Sequence, residues 1–240
     1  MIVKTRAILL HHVRHSDNSL IASFYTKEYG RLSVMVKGVS SKKVSAKYTY
    51  FQPLYLFDLE VYHNPSRDIQ TLKELNLAYT PKNITSDLFR STVALFLSEV
   101  LYGVIREEDI NIRLFSFLES SVIALDSLGS GSSNFHLWFL CALSAYVGIG
   151  PTPSNERGLW FDMASGQFEK HQPLHPDYMD PHTADLFNTL LSSEIDDLDK
   201  ITLTGETRNL LLEEIIKYYN LHLPGMRKIR SLGVLNEVFR

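Results

Sequence analysis

LYLFDLEVY, residues 54–62, alternates so strictly that Tyr55, Phe57, Leu59 and Val61 share one face while Asp58 and Glu60 take the other. That period of two marks a β-strand with one face in a core and the other in water. Outward from it, the same signature recurs in IVKTRAILLHHV (2–13), LIASFYT (20–26), RLSVMVKGV (31–39) and DIQTLKELNLA (68–78), all rich in β-branched or aromatic residues. Tyr29-Gly30 marks a tight turn between the second and third strands, and Asn64-Pro65-Ser66 another between the fourth and fifth. Five such strands at this spacing fit a small Greek-key barrel of the OB type.

Beyond Pro81 the hydrophobic period lengthens to about 3.6, the repeat of a helix. The expected fold class is therefore α+β: a five-stranded OB-fold β-barrel over residues 1–80, then an all-helical domain over residues 81–240 with a small irregular β-hairpin insertion. Thr85 or Ser86 is expected to cap a first helix carrying Leu88, Val93, Phe96, Leu97, Val100 and Leu101. A second runs from about Ile110 to Leu128, and GSGSSN (129–134) ends it. SNFHLWFLCALSAYVG (133–148) is apolar around most of its circumference, which places it at the centre of a bundle. Prolines at 151, 153, 173, 176 and 181 break up the stretch from about 150 to 182, where GLWFDMASGQFE (158–169) predicts a hairpin turning near Ser165-Gly166. Asp180-Pro181 forms a cap and first helical residue, followed by ETRNLLLEEIIKYYNLHL (206–223) and a short closing helix in SLGVLNEVF (231–239).

With 240 residues, 45% of them hydrophobic, the chain can bury a real core. No window holds the roughly 18 apolar residues of a membrane span, and MIVKTRAILLHHVRH lacks a signal-peptide cleavage site, so a soluble, cytoplasmic protein is expected. The single cysteine, Cys141, excludes an internal disulfide and any all-cysteine metal site. The net charge of -3 hides an asymmetry: residues 1–80 carry 11 Lys and Arg against 6 Asp and Glu, while residues 81–240 carry 13 against 21. A basic head on an acidic body points the head at a polyanion, because Lys and Arg supply most sequence-independent affinity for nucleic acid.

The segment KGVSSKKVSAKYTYF (37–51), between the third and fourth strands, interleaves Lys37, Lys42, Lys43 and Lys47 with Tyr48, Tyr50 and Phe51. Lysines contact phosphates and aromatic rings stack on bases, the combination with which OB folds hold single strands. Arg6, Arg14, Lys27 and Arg31 lie on adjacent strands and extend the candidate DNA-binding set. The competing reading is a solvated lysine loop whose aromatic residues belong to the core. His11, His12 and His15 read as surface or DNA-facing groups.

Few residues of the sequence are spaced for chemistry. His171 and His175 stand four apart with Asp177, Asp180 and His182 behind them, but Pro173 and Pro176 prevent the helix that would align them on a metal. Cys141 lies in LWFLCALSAY, the setting of a buried, inert thiol. GSGSSN lacks the GK[ST] ending of a phosphate loop, and no G-x-S-x-G, G-x-G-x-x-G or HExxH pattern is present. The expectation is a protein with no catalytic residue, no metal and no cofactor.

TKEYGRLSVMVKGVSSKK (26–43) resembles the N-terminal signature of the bacterial RecO recombination mediators, and FQPLYLFDLEVY (51–62) is similar to the strand that follows it in them. The layout agrees over the whole chain, including the break at Gly148–Pro151 and the closing EIIKYYNLHLPGMRKIRSLGVL (214–235). The resemblance implies a DNA repair protein of the RecF pathway. Such a protein binds single- and double-stranded DNA, anneals complementary strands and assists RecA loading on strands coated by single-stranded-DNA-binding protein. The implied partners are DNA, RecR and the acidic tail of the coating protein, and RecA indirectly. Lys37 and Gly38 stand at matching motif positions. Many members carry a four-cysteine zinc module where this chain has Asn155 to His175; those cysteines are missing here, so zinc does not transfer.

An acidic tail ending in an aromatic residue needs an apolar groove rimmed by cations. Candidates are Arg106 and Arg113 around the second helix, and Arg227, Lys228 and Arg230 near the C-terminus. Two other classes compete with the mediator: a protein-interaction adaptor with a peptide-binding barrel, and an enzyme with a cryptic site in the 150–182 insertion.

Overall fold

The computed structural model describes residues 1–38, 50–105, 110–129, 133–226 and 228–238. By its contacts the chain divides into two compact units, Met1–Ser127 with Ile229–Ser231, and Leu128–Lys228 with Leu232–Arg240.

The first unit is built on five strands, β1 (Ile2–Ser16), β2 (Ser19–Thr26), β3 (Gly30–Lys37), β4 (Leu56–Tyr62) and β5 (Ile69–Leu77), closed into a barrel in the order β1-β2-β3-β5-β4. All pairings are antiparallel except a short parallel one between β3 and β5, Ser33–Met35 against Ile69–Thr71. The long β1 shares itself between two partners: Ile2–Ile8 pair with β4 and Ala7–Ser16 with β2. The interior holds Phe24, Phe57, Val34, Val61, Leu9 and Ala22 among others, so alternation in the sequence became inside and outside as expected. Between Ala7 and Leu10 the alternation stops, and all four residues are buried. Here the barrel's outer face is covered too, by α1 (Leu88–Val104) and α2 (Ile112–Ser127): the Ser98 hydroxyl on α1 donates to the Leu10 carbonyl, and Phe115 on α2 packs beside Tyr25 with ring centroids 6.2 Å apart.

Two buried polar side chains fix the connections. The Gln70 amide accepts from Asn64 N at 2.7 Å and donates to the Asn64 and Arg67 carbonyls, closing the β4–β5 turn. Asp126, 2% exposed at the end of α2, accepts from the backbone N–H groups of Asn83 (2.7 Å), Ile84 (2.8 Å) and Lys82 (3.0 Å) and from the Tyr79 hydroxyl (2.8 Å). Burial alone would raise its pKa, but these donors outweigh it and hold the carboxyl below its ordinary value. The N-cap of α1 is Asp87, which accepts from Arg90 N, rather than Thr85 or Ser86. The hydroxyls of those two turn back to the Lys82 carbonyl instead, which corrects the cap read from the sequence.

In the second unit, α3 (Phe135–Tyr146) is buried on most sides as its composition requires, with α4 (Pro181–Ser192) and α5 (Gly205–His222) around it. Trp138 Nε1 donates to the Ser193 carbonyl at 3.0 Å and the Tyr219 hydroxyl to that of Leu140 at 2.7 Å, so the large polar-tipped rings of this core are satisfied. Gly148, at φ 79°, ends α3, and a Cβ on Gly150 would stand 2.7 Å from the Ala145 backbone, so the break needs glycine at both positions. The insertion is a three-stranded sheet of β6 (Trp160–Asp162), β7 (Gln167–Glu169) and β8 (Tyr178–Met179), with β6 in the middle. Asp162 Oδ1 accepts from Ala164 N and Ser165 N, and Gly166 at φ 69° completes the predicted hairpin turn. Phe161 anchors the sheet between Phe168, Phe187 and Tyr218, all within 5.5 Å between centroids. A final helix, α6, spans Ser231–Val238.

Candidate nucleic-acid interface

The cations proposed from sequence fall into two groups with different surroundings. Arg6 and Arg14 share β1 but stand eight residues apart, roughly 25 Å along a strand. On the Arg6 side, outward-facing residues of β1, β4 and β5 form a lattice of opposite charges. Arg6 contacts Asp58 at 3.1 Å and Glu119 on α2 at 3.0 Å, while Glu60 sits between Lys4 at 2.6 Å and Lys73 at 2.8 Å. Hydrogen bonds from these two lysines pull the Glu60 carboxyl down to about 2. Exposed pairs of this kind add little stability, but a phosphate approaching Arg6 must displace two carboxylates. Lys27 lies beside this region with Glu28, whose carboxylate accepts from the Thr5 hydroxyl.

Arg31 is occupied differently. Its guanidinium donates to the carbonyls of Tyr102 and Ile105 at the C-terminal end of α1 and lies 4.3 Å from the Tyr102 ring centroid. Two open carbonyls and a negative helix end are the natural seat for a guanidinium. His11 lies tilted against the same ring, 4.6 Å between centroids.

The other end of the barrel is the tip of the β1–β2 hairpin. Arg14 is exposed there and donates only weakly to the Asp17 carbonyl, at 3.4 Å. Lys37 at the end of β3 is exposed and pairs in register with Ser19, the first residue of β2. Among the described residues, neither Arg14 nor Lys37 has a carboxylate partner. His15 is exposed beside them, and His12 is half-buried, its pKa lowered by burial and by His11. The segment 37–51 begins and ends at this hairpin: Gly38 N donates to the Asn18 carbonyl at 2.8 Å, and the Phe51 ring meets His12 edge-on at 6.2 Å. Tyr50 is 43% exposed, whereas Phe51 is in the barrel core. Lys42, Lys43, Lys47 and Tyr48 lie outside the described residues.

Of the residues proposed for partner binding, Arg113, Lys228 and Arg230 are exposed and without ion pairs among the described residues, and Arg106 and Arg227 lie outside them. The insertion does not fit a zinc ion. It offers no cysteine; His175 Nε2 pairs with Asp162 at 3.1 Å, and its Nδ1 accepts from Asp177 N at 3.2 Å. Among the described residues no group of three or more His, Cys, Asp or Glu converges on a point. Burial of Cys141 raises its thiol far above the ordinary value, so it is no nucleophile. No described helix is long and apolar enough to cross a membrane.

Comparison with known proteins matches this architecture. Residues 1–81 fit the family model described as "Recombination protein O N terminal", and residues 85–232 the one described as "Recombination protein O C terminal". The chain is 36% identical over 240 residues to the DNA repair protein RecO of Phocaeicola vulgatus. It is 35% identical over 241 residues to that of Flavobacterium psychrophilum and 36% identical over 241 to that of Bacteroides fragilis, in each case across 100% of both chains. A closed five-stranded N-terminal barrel, a helical region with a small sheet, and full-length similarity to these proteins together place the chain in the RecO family of DNA repair proteins.

Proposed function

We infer that this protein works without catalysis, as a mediator that captures single- and double-stranded DNA on its barrel, anneals complementary strands and assists RecA loading on strands coated by single-stranded-DNA-binding protein. One observation carries the reading. The cations at the hairpin end of the barrel, Arg14 and Lys37, are free of carboxylate partners among the described residues, and a segment that adds Lys42, Lys43 and Lys47 meets this hairpin at both its ends, Gly38 against Asn18 and Phe51 against His12. The lattice around Arg6, by contrast, is neutralised. The DNA face is therefore Arg14, Lys37, Lys42, Lys43 and Lys47 for phosphates, with Tyr48 and Tyr50 for bases; Arg6 and Arg31 hold the first unit together, and Lys27 is peripheral. RecR and the acidic tail of the coating protein are the protein partners, with Arg113, Lys228 and Arg230 as candidate cations for that tail. A cytoplasmic protein working at the nucleoid follows from this role.

Fluorescence anisotropy with a labelled single strand tests the reading. Replacing Lys42, Lys43 and Lys47 by Ala should weaken binding across all sequences and flatten the log K against log salt slope by about 2, near 0.7 per lost phosphate contact. It should slow annealing of complementary strands in parallel. Binding and annealing that ignore the substitutions would overturn it and favour the adaptor reading.

A further inference from the structure

Two rows of side chains cross the outer surface of the barrel, and both follow from the strand register. In the first, Val13 on β1 pairs with Ile21 on β2, Ile21 with Met35 on β3, Met35 with Thr71 on β5, and Thr71 with Tyr62 on β4. In the second, two residues away along each strand, His11 pairs with Ser23, Ser23 with Ser33, and Ser33 with Ile69. Their sequence neighbours Ala22, Val34 and Val61 are in the core, so these rows face outward. The second row is covered at its His11 end, where the Tyr102 ring lies, and open at Ile69. In the first row Val13 is 47% and Tyr62 51% exposed. No Asp, Glu, Lys or Arg stands in either row. That sets this surface apart from the neighbouring one, where Lys4, Glu60 and Lys73 are locked in ion pairs.

We propose that this surface is the platform on which the bases of a captured single strand lie, with the exposed Tyr62 ring as its stacking residue. The proposal rests on the reading of the chain as a DNA-binding protein and assigns the course of the strand beyond the hairpin. Lys37 stands two residues past Met35 on β3, and Arg14 and His15 follow Val13 on β1, so the first row leads on directly from the cations at the hairpin end. Across the rows, Arg67 lies in the β4–β5 turn two residues before Ile69, exposed and without an ion pair among the described residues. Asp68 beside it offsets part of its charge, so the hairpin end remains the main phosphate contact. A neutral surface bordered by such cations fits a ligand with neutral faces and an anionic backbone, which is a nucleic-acid strand. A folded protein is the poorer occupant. Five strands about 4.8 Å apart make the first row roughly 19 Å long, and two rows are about 7 Å wide. That is far short of the roughly 800 Å² that each side of a stable protein interface buries. An added peptide β-strand does not fit either, because the barrel is closed and offers no open edge. Tyr62 supplies a flat ring, and Met35, Ile21 and Val13 an apolar floor that meets the faces of bases rather than their edges. Binding is therefore tolerant of sequence, as annealing of arbitrary strands requires.

The experiment is fluorescence anisotropy with the full chain, on a labelled oligothymidylate and on the same strand with its central bases replaced by abasic residues, at two salt concentrations. Wild type should bind the intact strand roughly tenfold more tightly, within the range of one stacked base. Tyr62→Ala should bring the two strands to within about twofold, whereas Tyr62→Phe should keep the difference. Both should retain the salt slope of wild type, since no phosphate contact is lost. Irradiation of a 5-iodouracil-substituted strand on wild type keeps the test decisive should Tyr62→Ala fail to fold by circular dichroism; it should cross-link Tyr62 in the mapped peptides. A wild type indifferent to the missing bases, a difference that survives Tyr62→Ala, or cross-links confined to other parts of the chain would each overturn the platform. So would sedimentation in which Tyr62→Ala dissolves a wild-type dimer while the strand preference stays unchanged, which would give the surface to a second copy. In all these cases salt-dependent DNA binding persists; if wild type binds neither strand, it is the DNA reading itself that has failed.

Discussion

Replacement of Asp126 by Ala tests how the first unit holds its helices to its barrel. The carboxylate is 2% exposed and receives three backbone N–H groups, of Lys82, Asn83 and Ile84, together with the Tyr79 hydroxyl. Removing it orphans four donors at once. A buried donor left unsatisfied costs about 1–3 kcal/mol, and partial relaxation or water entry reduces the sum, so the loss is about 3–5 kcal/mol. For a unit of this size that lowers Tm by roughly 10–15 °C. Asp126→Asn keeps the shape and one acceptor, and should cost about half as much. The pH dependence has a definite sign. The folded pKa lies below the unfolded one, so the contribution is fully present above the unfolded value near 4 and disappears as pH falls through the folded value. Thermal melts of wild type and Asp126→Ala followed by circular dichroism should therefore lie far apart at pH 7 and converge in strong acid. A Tm for Asp126→Ala within about 2 °C of wild type at pH 7 would refute the reasoning.

Three further predictions concern other groups. Arg31→Ala removes the cation on the α1 carbonyls and should lower Tm by several degrees without altering the salt slope of DNA binding; a flattened slope would move Arg31 into the DNA face. Glu214→Gln should raise the Tm of the second unit by roughly 2–4 °C at pH 7.5. Burial raises the Glu214 pKa and its Oε2 lacks a partner, so the protonated form favours the fold and the advantage of Gln should shrink as pH falls; a Gln variant less stable than wild type at pH 7.5 contradicts this. Gly166→Ala forces a side chain into φ 69° with its Cβ 3.1 Å from the Tyr218 hydroxyl, and should cost about 1–2 kcal/mol in urea melts; no loss would mean that the turn has room to move.

The elements that read clearly in the sequence are those with one wet face. Residues 56–62 and the hairpin around Ser165-Gly166 took the form their pattern demanded, although Leu54 and Tyr55 fall before the strand, with Leu54 in a turn at φ 63°, and Asp180-Pro181 caps α4 as expected, its carboxylate accepting from His182 N and Thr183 N. Ala7–Leu10 does not alternate because two helices cover the strand's outer face, and nothing local announces a cover that comes from residues 88–127. The cap of α1 is not decided by local sequence, because Thr85, Ser86 and Asp87 are all competent and the choice turns on two hydroxyls folding back to Lys82. The basic segment 37–51 is legible in the sequence, whereas the contacts that set Arg6 and Arg31 apart from Arg14 are not. Arg6 and Arg31 look identical to Arg14 in the sequence, yet their partners stand 52, 113 and 71 residues away.

Which end of the barrel meets DNA is decided by a comparison of two double variants. Salt-dependent anisotropy on one labelled single strand should show Arg14→Ala with Lys37→Ala flattening the slope by about 1.4, and Lys4→Gln with Arg6→Gln leaving it within error of wild type. The reverse pattern, with the slope lost at Lys4 and Arg6 and kept at Arg14 and Lys37, would put the DNA on the charge-paired face and contradict the assignment.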